Sequence, residues 1–180
     1  MSSMLPGTGT WVFDTSHSSV EFVARHLVIS KVRGGFGTFS RSVTVADPVA
    51  DSAVEVSIDA ASFSSGDENR DAHVRGEDFL DVDRFPTLTF KGAGPRPSGT
   101  GWVLPGELTV RDVTRQVELE VEALGTIADP WGNQKAVFSA TTEIDREDFG
   151  LTWNAALEAG GVLVGAKVRI EIDVQLVREG

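Results

Sequence analysis

The sequence of 180 residues contains no cysteine. Disulfide bonds, thiol catalysis and cysteine-ligated zinc are therefore excluded as sources of stability or chemistry. A chain of this length buries enough apolar surface to fold without such cross-links.

Long apolar runs are also missing. The longest purely apolar stretches span a few residues, well short of the roughly 20 that cross a bilayer as a helix, so we expect no membrane span. Residues 1–10 have neither a basic start nor an apolar core and do not resemble a secretory signal. We therefore expect a cytoplasmic location, with residues 1–10 as a flexible segment.

Motifs that bind metals or nucleotides are absent as well. The three histidines, His17, His26 and His73, do not have the spacing of zinc or iron ligands. The acidic residues between positions 67 and 83 lack the glycine and terminal glutamate of an EF-hand loop. Because no glycine-rich phosphate loop opens a helix either, we predict no metal site and no cofactor.

Positive charge is scarce. Sixteen Lys and Arg residues against 27 Asp and Glu residues give a formal net charge of −11. Such a surface repels nucleic-acid backbones and anionic lipid headgroups. We therefore predict no nucleic-acid partner and expect a ligand to bind inside the protein.

What the sequence has in abundance is two-residue alternation of apolar and polar side chains. It is clearest in Val117, Leu119, Val121 and Ala123, in Ile170, Ile172, Val174 and Leu176, and in Val54, Val56 and Ile58. Polar residues, many of them charged, fill the positions between. This pattern is typical of antiparallel strands with one buried and one solvated face.

The alternation predicts nine strands, and glycine and proline residues separate them, with Gly34-Gly35 at the boundary between the second and the third. The predicted strands cover residues 10–15, 18–28, 35–46, 53–60, 86–92, 101–111, 115–125, 134–145 and 165–178. Ser65 and Glu68 have the spacing of a capping box, which predicts about three turns of helix toward Gly76. Residues 153–160 resemble a second short helix that ends at glycine.

Eight or nine strands of this length close into one barrel or stack as a sandwich. Immunoglobulin-like sandwiches use shorter strands with frequent turns, so the strand length favours an all-β, eight-stranded antiparallel barrel. No linker or repeat divides the chain, and we predict a single barrel domain over residues 11–180.

Asp14, His17 and Ser18 lie close together in the sequence and are the three residue types of a hydrolase triad. No G-x-S-x-G turn presents a serine nucleophile, however. We interpret the group as a turn between strands in which Asp14 and Ser18 bond local backbone, and we predict no catalytic residue.

His26 leaves two alternatives open. Counting in twos from Val20 and Phe22 places His26 on the inward face of its strand. It is either a buried histidine bonded to backbone or a polar contact for the head of a ligand.

The aromatic residues are unusual in type. The chain has ten phenylalanines and four tryptophans but no tyrosine. Rings without hydroxyl groups suit a packed core, and they equally suit the lining of a dry tunnel.

A series of landmark residues runs along the chain in a fixed order: Trp11, Asp14, His17, Ser18, Val20, Phe22, His26, Gly35-Phe36, Asp71, His73, Asp78-Phe79, Asp81, Phe85-Pro86, Leu88, Phe90, Gly106, Leu108-Thr109-Val110, Val113-Thr114, Arg146 and Asp148-Phe149-Gly150-Leu151. Their order resembles the YceI family of lipocalin-like, polyisoprenoid-binding proteins. The landmarks cover nearly the whole chain and are fairly specific in this order.

The resemblance implies an extended eight-stranded barrel that holds an isoprenoid chain, such as a quinone tail or a polyprenyl phosphate, and has no established catalytic residue. We therefore expect a carrier or sequestering protein. Because lipid carriers often shield an open mouth, we also expect that the protein can form a homodimer. The candidate ligand-binding residues are Val20, Phe22, His26, Phe36, Ile58, Phe79, Phe90, Leu108, Phe138 and Ile170.

Two other functions stay open. One is an enzyme that acts on an apolar substrate with His26 as acid or base. The other is a stress-related structural protein whose barrel interior is filled by its own side chains.

Overall fold

The computed structural model describes residues 5–27, 29–157 and 160–179. Its strands are β1 Gly9–Phe13, β2 Ser19–His26, β3 Ser30–Phe36, β4 Phe39–Val45, β5 Ala53–Asp59, β6 Phe63–Ser64, β7 Thr87–Ala93, β8 Arg96–Ser98, β9 Gly101–Val110, β10 Val113–Ala128, β11 Gln134–Asp145 and β12 Val164–Arg178. One α-helix, α1, covers Glu68–Arg75, and short 3-10 turns cover Thr15–His17, Val49–Asp51, Ala60–Ser62 and Arg146–Phe149.

The sheet closes on itself. β1 pairs with β4 on one side and with β12 on the other, so β1, β4, β5, β7, β9, β10, β11 and β12 form a ring of eight strands. Every pairing is antiparallel. β2 continues along β12 where β1 leaves it, and β3 pairs with β2. The predicted all-β, eight-stranded antiparallel barrel is confirmed.

Alternation places the apolar side chains inside, as the sequence predicted. Leu119 on β10, Ala140 on β11 and Ile170 on β12 are buried. Glu118 and Glu120, the sequence neighbours of Leu119, are exposed. Residues that pair across antiparallel strands share a face, so each strand adds a row of carbon to the interior.

The strand boundaries differ from the prediction around residues 27–39. Residues 30–36 form β3, whereas Gly34 and Gly35 were expected to separate two strands. Gly34 lies beneath the ring of Phe63, and a Cβ atom there would lie 2.5 Å from that ring. Glycine is therefore a packing requirement inside a strand at this position. Val28, the last residue of the predicted strand 18–28, lies outside the described residues.

Helix α1 follows β5 and β6 and is shorter than predicted. Its N-cap is Asp67, whose carboxylate accepts a hydrogen bond from the backbone N–H of Arg70, so the predicted capping box at Ser65 is wrong. The Ser65 hydroxyl instead donates to buried Asp71. The helix ends before Gly76, near the predicted position.

The helix predicted over residues 153–160 is also wrong for the residues that the structure describes. Residues 153–157 contain only an isolated bridge between Ala156 and Val162. The Asn154 side chain bonds both the N–H and the carbonyl of Val164, and the Trp153 carbonyl accepts from Arg146. These distant partners hold the segment in an irregular path. Residues 158 and 159 lie outside the described residues.

Arg146 organises this segment from inside the protein. It is only 5% exposed, and its guanidinium donates to the carbonyl oxygens of Leu151 at 2.6 Å, Gly165 at 2.9 Å, Trp153 at 3.0 Å and Val164 at 3.2 Å. Burial lowers the pKa of Arg146, but a guanidinium stays protonated in proteins. Its fork of donors therefore connects the end of β11 to the start of β12.

The group at Asp14 is a turn, as interpreted from the sequence. Asp14 caps the 3-10 turn by accepting from the Ser16 N–H, and it also contacts the Ser16 hydroxyl, His17 and Lys135 of β11. Hydrogen bonds from Ser16 and His17, with Lys135 nearby, hold the pKa of Asp14 well below its usual range. Ser18 differs from the expectation, since it bonds the backbone of Gln175 on β12 and not local backbone.

We expect Arg146→Met to destabilise the protein by about 3 kcal/mol, because four carbonyls at a buried or partly buried site lose the hydrogen bond from Arg146. The measurement is urea unfolding followed by circular dichroism. Arg169→Met is the matched control, since Arg169 is half-exposed and contacts only Glu171, and it should change stability by less than about 0.5 kcal/mol. Equal stability of the two variants would contradict the role given to Arg146.

We expect Asp14→Asn to lower the free energy of unfolding by about 1–2 kcal/mol at pH 7. A carboxylate whose folded-state pKa is lowered stabilises the fold above its ordinary pKa of about 3.9. That contribution declines as the pH falls below this value toward the lowered pKa. The difference between wild type and variant should therefore shrink below about pH 4. Exposed Asp173 supplies the control substitution Asp173→Asn, and a difference that does not change with pH would refute the assignment.

Candidate ligand-binding site

The barrel encloses an apolar cavity of about 190 Å³. Only carbon atoms of the described residues form its exposed wall. An apolar cavity of about 150 Å³ already stays dry and binds a molecule the size of benzene. The cavity is therefore a place where an apolar ligand gains free energy by leaving water.

Nearly the whole ring of strands supplies the wall. β1, β2 and β4 provide Phe13, Val20, Phe22, Phe39, Val43 and Val45; β5, β7 and β9 provide Ala53, Val54, Val56, Ile58, Leu88, Phe90, Trp102, Leu104, Leu108 and Val110; β10, β11 and β12 provide Val117, Leu119, Val121, Phe138, Ala140, Thr142, Ile170, Ile172, Val174 and Leu176. Leu5, Pro6, Val49, Ser52 and Pro95 complete it.

Seven of the ten residues predicted from the sequence line this cavity. They are Val20, Phe22, Ile58, Phe90, Leu108, Phe138 and Ile170. Each lies at an inward position of its strand, which is the property that two-residue counting detects.

Phe36 and Phe79 lie in the core but outside the cavity wall. The Phe36 ring packs edge-on against Phe22 at 5.1 Å and against Phe63 at 5.6 Å between centroids. Phe79 packs against Trp153 at 5.7 Å. These rings fill the part of the interior next to α1, so the interior is divided into a packed half and a hollow half.

His26 is placed away from the hollow half. It is the last residue of β2, where its backbone pairs with Ser30 and Val164. Its side chain is half-buried and does not line the cavity. The cavity therefore ends before β2 does.

The end of the cavity away from α1 is lined by residues that lie outside the strands. Leu5, Pro6, Val49 and Pro95 belong to the N-terminal segment and to the connections that follow β4 and β7. We call this the open end; it comprises residues 5–8, 46–52, 94–100 and 129–133. The opposite end, with α1 and the described residues 27, 29, 60–86, 146–157 and 160–163, is the helix end.

The N-terminal segment is part of the site, although residues 1–10 were expected to be flexible. β1 begins at Gly9, Pro6 is buried, and the Trp11 indole N–H donates to the Gly7 carbonyl at 3.0 Å. Residues 1–4 lie outside the described residues.

Two glycines shape the wall and were missed as site residues. Gly92 on β7 and Gly106 on β9 are paired, and the Phe90 ring lies across them. A Cβ atom on Gly106 would lie 2.5 Å from this ring. The absence of side chains here lets the ring lie along the wall and leaves the centre of the barrel empty. The order of Leu104, Gly106, Leu108 and Val110, every second residue, is the signal that could have identified the position.

The described residues of the cavity wall include no ionisable side chain that would serve as an acid or base. The polar members of the wall among the described residues are Ser52 and Thr142, and the Ser52 hydroxyl accepts a hydrogen bond from the Ala46 N–H at 2.9 Å. Charged pairs such as Arg33 with Glu171, 2.7 Å apart, lie on exposed strand faces. The arrangement therefore favours binding by burial of apolar surface.

Two further observations bear on the site. In the parts of the chain that the structure describes, no three His, Asp or Glu side chains are grouped as they would be around a metal ion. No helix in those parts has the length and apolar character needed to cross a bilayer.

Comparison with known proteins shows similarity over most of the chain. Residues 11–176 match the YceI-like domain. A UPF0312 protein of Vibrio cholerae is 36% identical over 146 residues, which cover 78% of this chain and 77% of that protein.

Solved structures show the same fold. The crystal structure of Burkholderia cenocepacia BcnA superposes with a TM-score of 0.78 at 24% identity, covering 91% of this chain and 98% of that one. The structure of a polyisoprenoid binding domain from Saccharophagus degradans, implicated in plant cell wall breakdown, has a TM-score of 0.69 at 12% identity, covering 96% of this chain and all of that one. With the sequence match over residues 11–176, the chain belongs to the YceI-like family.

Proposed function

We propose that this protein binds a polyisoprenoid chain, or a similar hydrophobic molecule, inside its barrel and carries or sequesters it without transforming it. The observation that carries the proposal is the hollow half of the interior, whose exposed wall is carbon in the described residues. The fold shared with a polyisoprenoid binding domain supports the same class of ligand.

The driving force is burial of hydrocarbon. Each CH₂ group removed from water contributes about 0.8 kcal/mol, and a chain of many carbons exceeds the several kcal/mol that association costs. Because the wall offers almost no polar partner, selectivity should depend on the width and length of the chain more than on its head.

A polar head would remain at the open end. A quinone ring or phosphate loses its hydrogen bonds with water if it enters the hollow half, and the wall does not replace them. The tail would then point toward Phe22 and Ile170, and the head would lie near Leu5, Val49 and Pro95. An isoprenoid quinone is one molecule of this kind. The cytoplasmic location and the homodimer stay predictions from the sequence.

Filling the cavity should abolish binding. Ala140 lies in the middle of β11, faces the cavity and is buried, so Ala140→Phe places a ring where the ligand would lie. We expect at least about a tenfold loss of affinity for a polyprenol, which corresponds to about 1.4 kcal/mol, measured by isothermal titration calorimetry.

The matched control is Ala72→Phe on α1, where the side chain is exposed. This variant should bind as the wild type does, and circular dichroism should show both variants folded. If folded Ala140→Phe binds the polyprenol with wild-type affinity, the ligand does not occupy the cavity.

Substitution of His26 tests two points: where the polar head of the ligand lies, and whether His26 acts as an acid or base. We expect His26→Ala to bind the polyprenol and its phosphate with unchanged affinity and stoichiometry, since His26 does not line the cavity. A tenfold loss specific to the phosphate, measured in the same titration, would place the head at the helix end and contradict the orientation proposed above.

A further inference from the structure

We propose that the hairpin of β10 and β11 docks the open end of the barrel onto the surface of a zwitterionic lipid bilayer. This inference rests on the proposed function, since it supplies the route by which a membrane-borne isoprenoid reaches the cavity. We call residues 122–135 the docking hairpin.

The docking hairpin exposes large apolar side chains. Leu124 is 49% exposed, Ile127 58% and Trp131 83%. Earlier in β10 the outward positions hold Glu118, Glu120 and Glu122. A change from glutamate to leucine, isoleucine and tryptophan at the tip of one strand pair marks a surface built for a partner other than water.

The docking hairpin borders the opening of the cavity. The register of β10 with β9 ends where Val121 pairs with Trp102, whereas β10 continues to Ala128 and pairs there with β11 alone. Trp102, Val121 and Phe138 line the cavity at this level. The hairpin therefore extends beyond the neighbouring strand at the open end, with its exposed apolar side chains next to the site that a ligand would enter.

The distribution of charge favours the same orientation. The docking hairpin contains two acidic residues and one lysine, Lys135, which contacts Asp14 at 3.1 Å. Residues 60–86 at the helix end contain seven acidic residues and three arginines. Docking by the hairpin turns the strongly acidic helix end away from the bilayer. Because the whole chain carries a net charge of −11, a zwitterionic surface is favoured over an anionic one.

A bilayer fits this surface better than a second copy of the chain. Three side chains on a hairpin tip fall well short of the roughly 800 Å² per partner that a stable protein interface buries. Tryptophan is the residue that favours the boundary between headgroups and hydrocarbon, where its ring is buried and its N–H stays hydrated. Pro130 and Gly132 flank Trp131 and form a turn in which Asp129 caps the backbone N–H of Trp131 and Asn133. The turn thus presents the indole outward.

A second exposed apolar group provides an internal control. Leu27, Ile29 and Val162 are 46%, 82% and 45% exposed, but they belong to the helix end and do not line the cavity. Ile29 matches Trp131 in exposure without bordering the opening.

The test is flotation with phosphatidylcholine vesicles, using the full chain and three sequences: wild type, the double variant Ile127→Ser with Trp131→Ser, and Ile29→Ser. We expect the wild type and Ile29→Ser to float with the vesicles and the double variant to bind at least about tenfold more weakly. Replacing part of the phosphatidylcholine with phosphatidylglycerol should weaken wild-type binding at low salt, and added salt should reverse that loss.

A parallel titration with a polyprenol in solution separates the two proposals. Docking is supported if the double variant retains solution affinity for the polyprenol but takes it up from vesicles more slowly than Ile29→Ser does. Equal flotation of all three proteins, or no flotation of a wild type that binds the polyprenol, overturns docking and leaves the proposed function standing. A wild type that binds no polyprenol overturns both. If light scattering shows that the double variant converts a dimer into a monomer, the hairpin is a self-association surface and docking is wrong.

Discussion

The pairing of β1 with both β4 and β12 is the constraint on which the rest of the structure depends. Once the sheet closes, it has no free edge around the ring, and every second side chain must point into a space that water does not fill. The burial of Leu119, Ala140 and Ile170 follows from closure together with two-residue alternation. Closure and alternation together therefore make the interior apolar, whether or not a ligand is bound.

The interior is packed with side chains next to α1 and hollow toward the open end, and the size and position of the side chains account for this difference. At the helix end, Phe36, Phe63, Phe79 and Phe149 are all buried and fill the space. Around the cavity, valine is the residue type found most often in the wall, and the Phe90 ring lies across Gly92 and Gly106, which have no side chains to displace it. Packing to the density of a normal core would need larger side chains there. The hollow half is thus a consequence of residue size at particular positions.

Alternation was sufficient to predict the eight strands of the ring together with β2, the barrel, and seven of the residues around the cavity, because inward direction is a local property of a strand. It was insufficient where distant contacts decide the conformation. Residues 153–157 have a helical composition, but they do not form a helix. The Trp153 carbonyl accepts a hydrogen bond from Arg146, and the Asn154 side chain donates to the Val164 carbonyl, so these contacts hold the segment in an irregular conformation. The glycine pair at Gly34 predicts a break between strands, whereas the ring of Phe63 requires a glycine within β3. His26, Phe36 and Phe79 were predicted to bind the ligand but lie outside the cavity wall. The point at which the cavity ends depends on aromatic rings from several elements, and the pattern of a single strand does not contain that information. Leu5 and Pro6 line the cavity because the N-terminal segment lies at the open end. The sequence pattern of that segment does not predict this position.

The central claim is that the hollow half holds an apolar molecule. Its most direct test is native mass spectrometry of the wild-type protein purified without detergent, combined with organic extraction of the same sample. The account predicts one apolar molecule per chain, released intact into the organic phase, or one polyprenol per chain after addition to protein that is empty at purification. A protein that carries no extractable lipid and retains no added polyprenol would contradict the account.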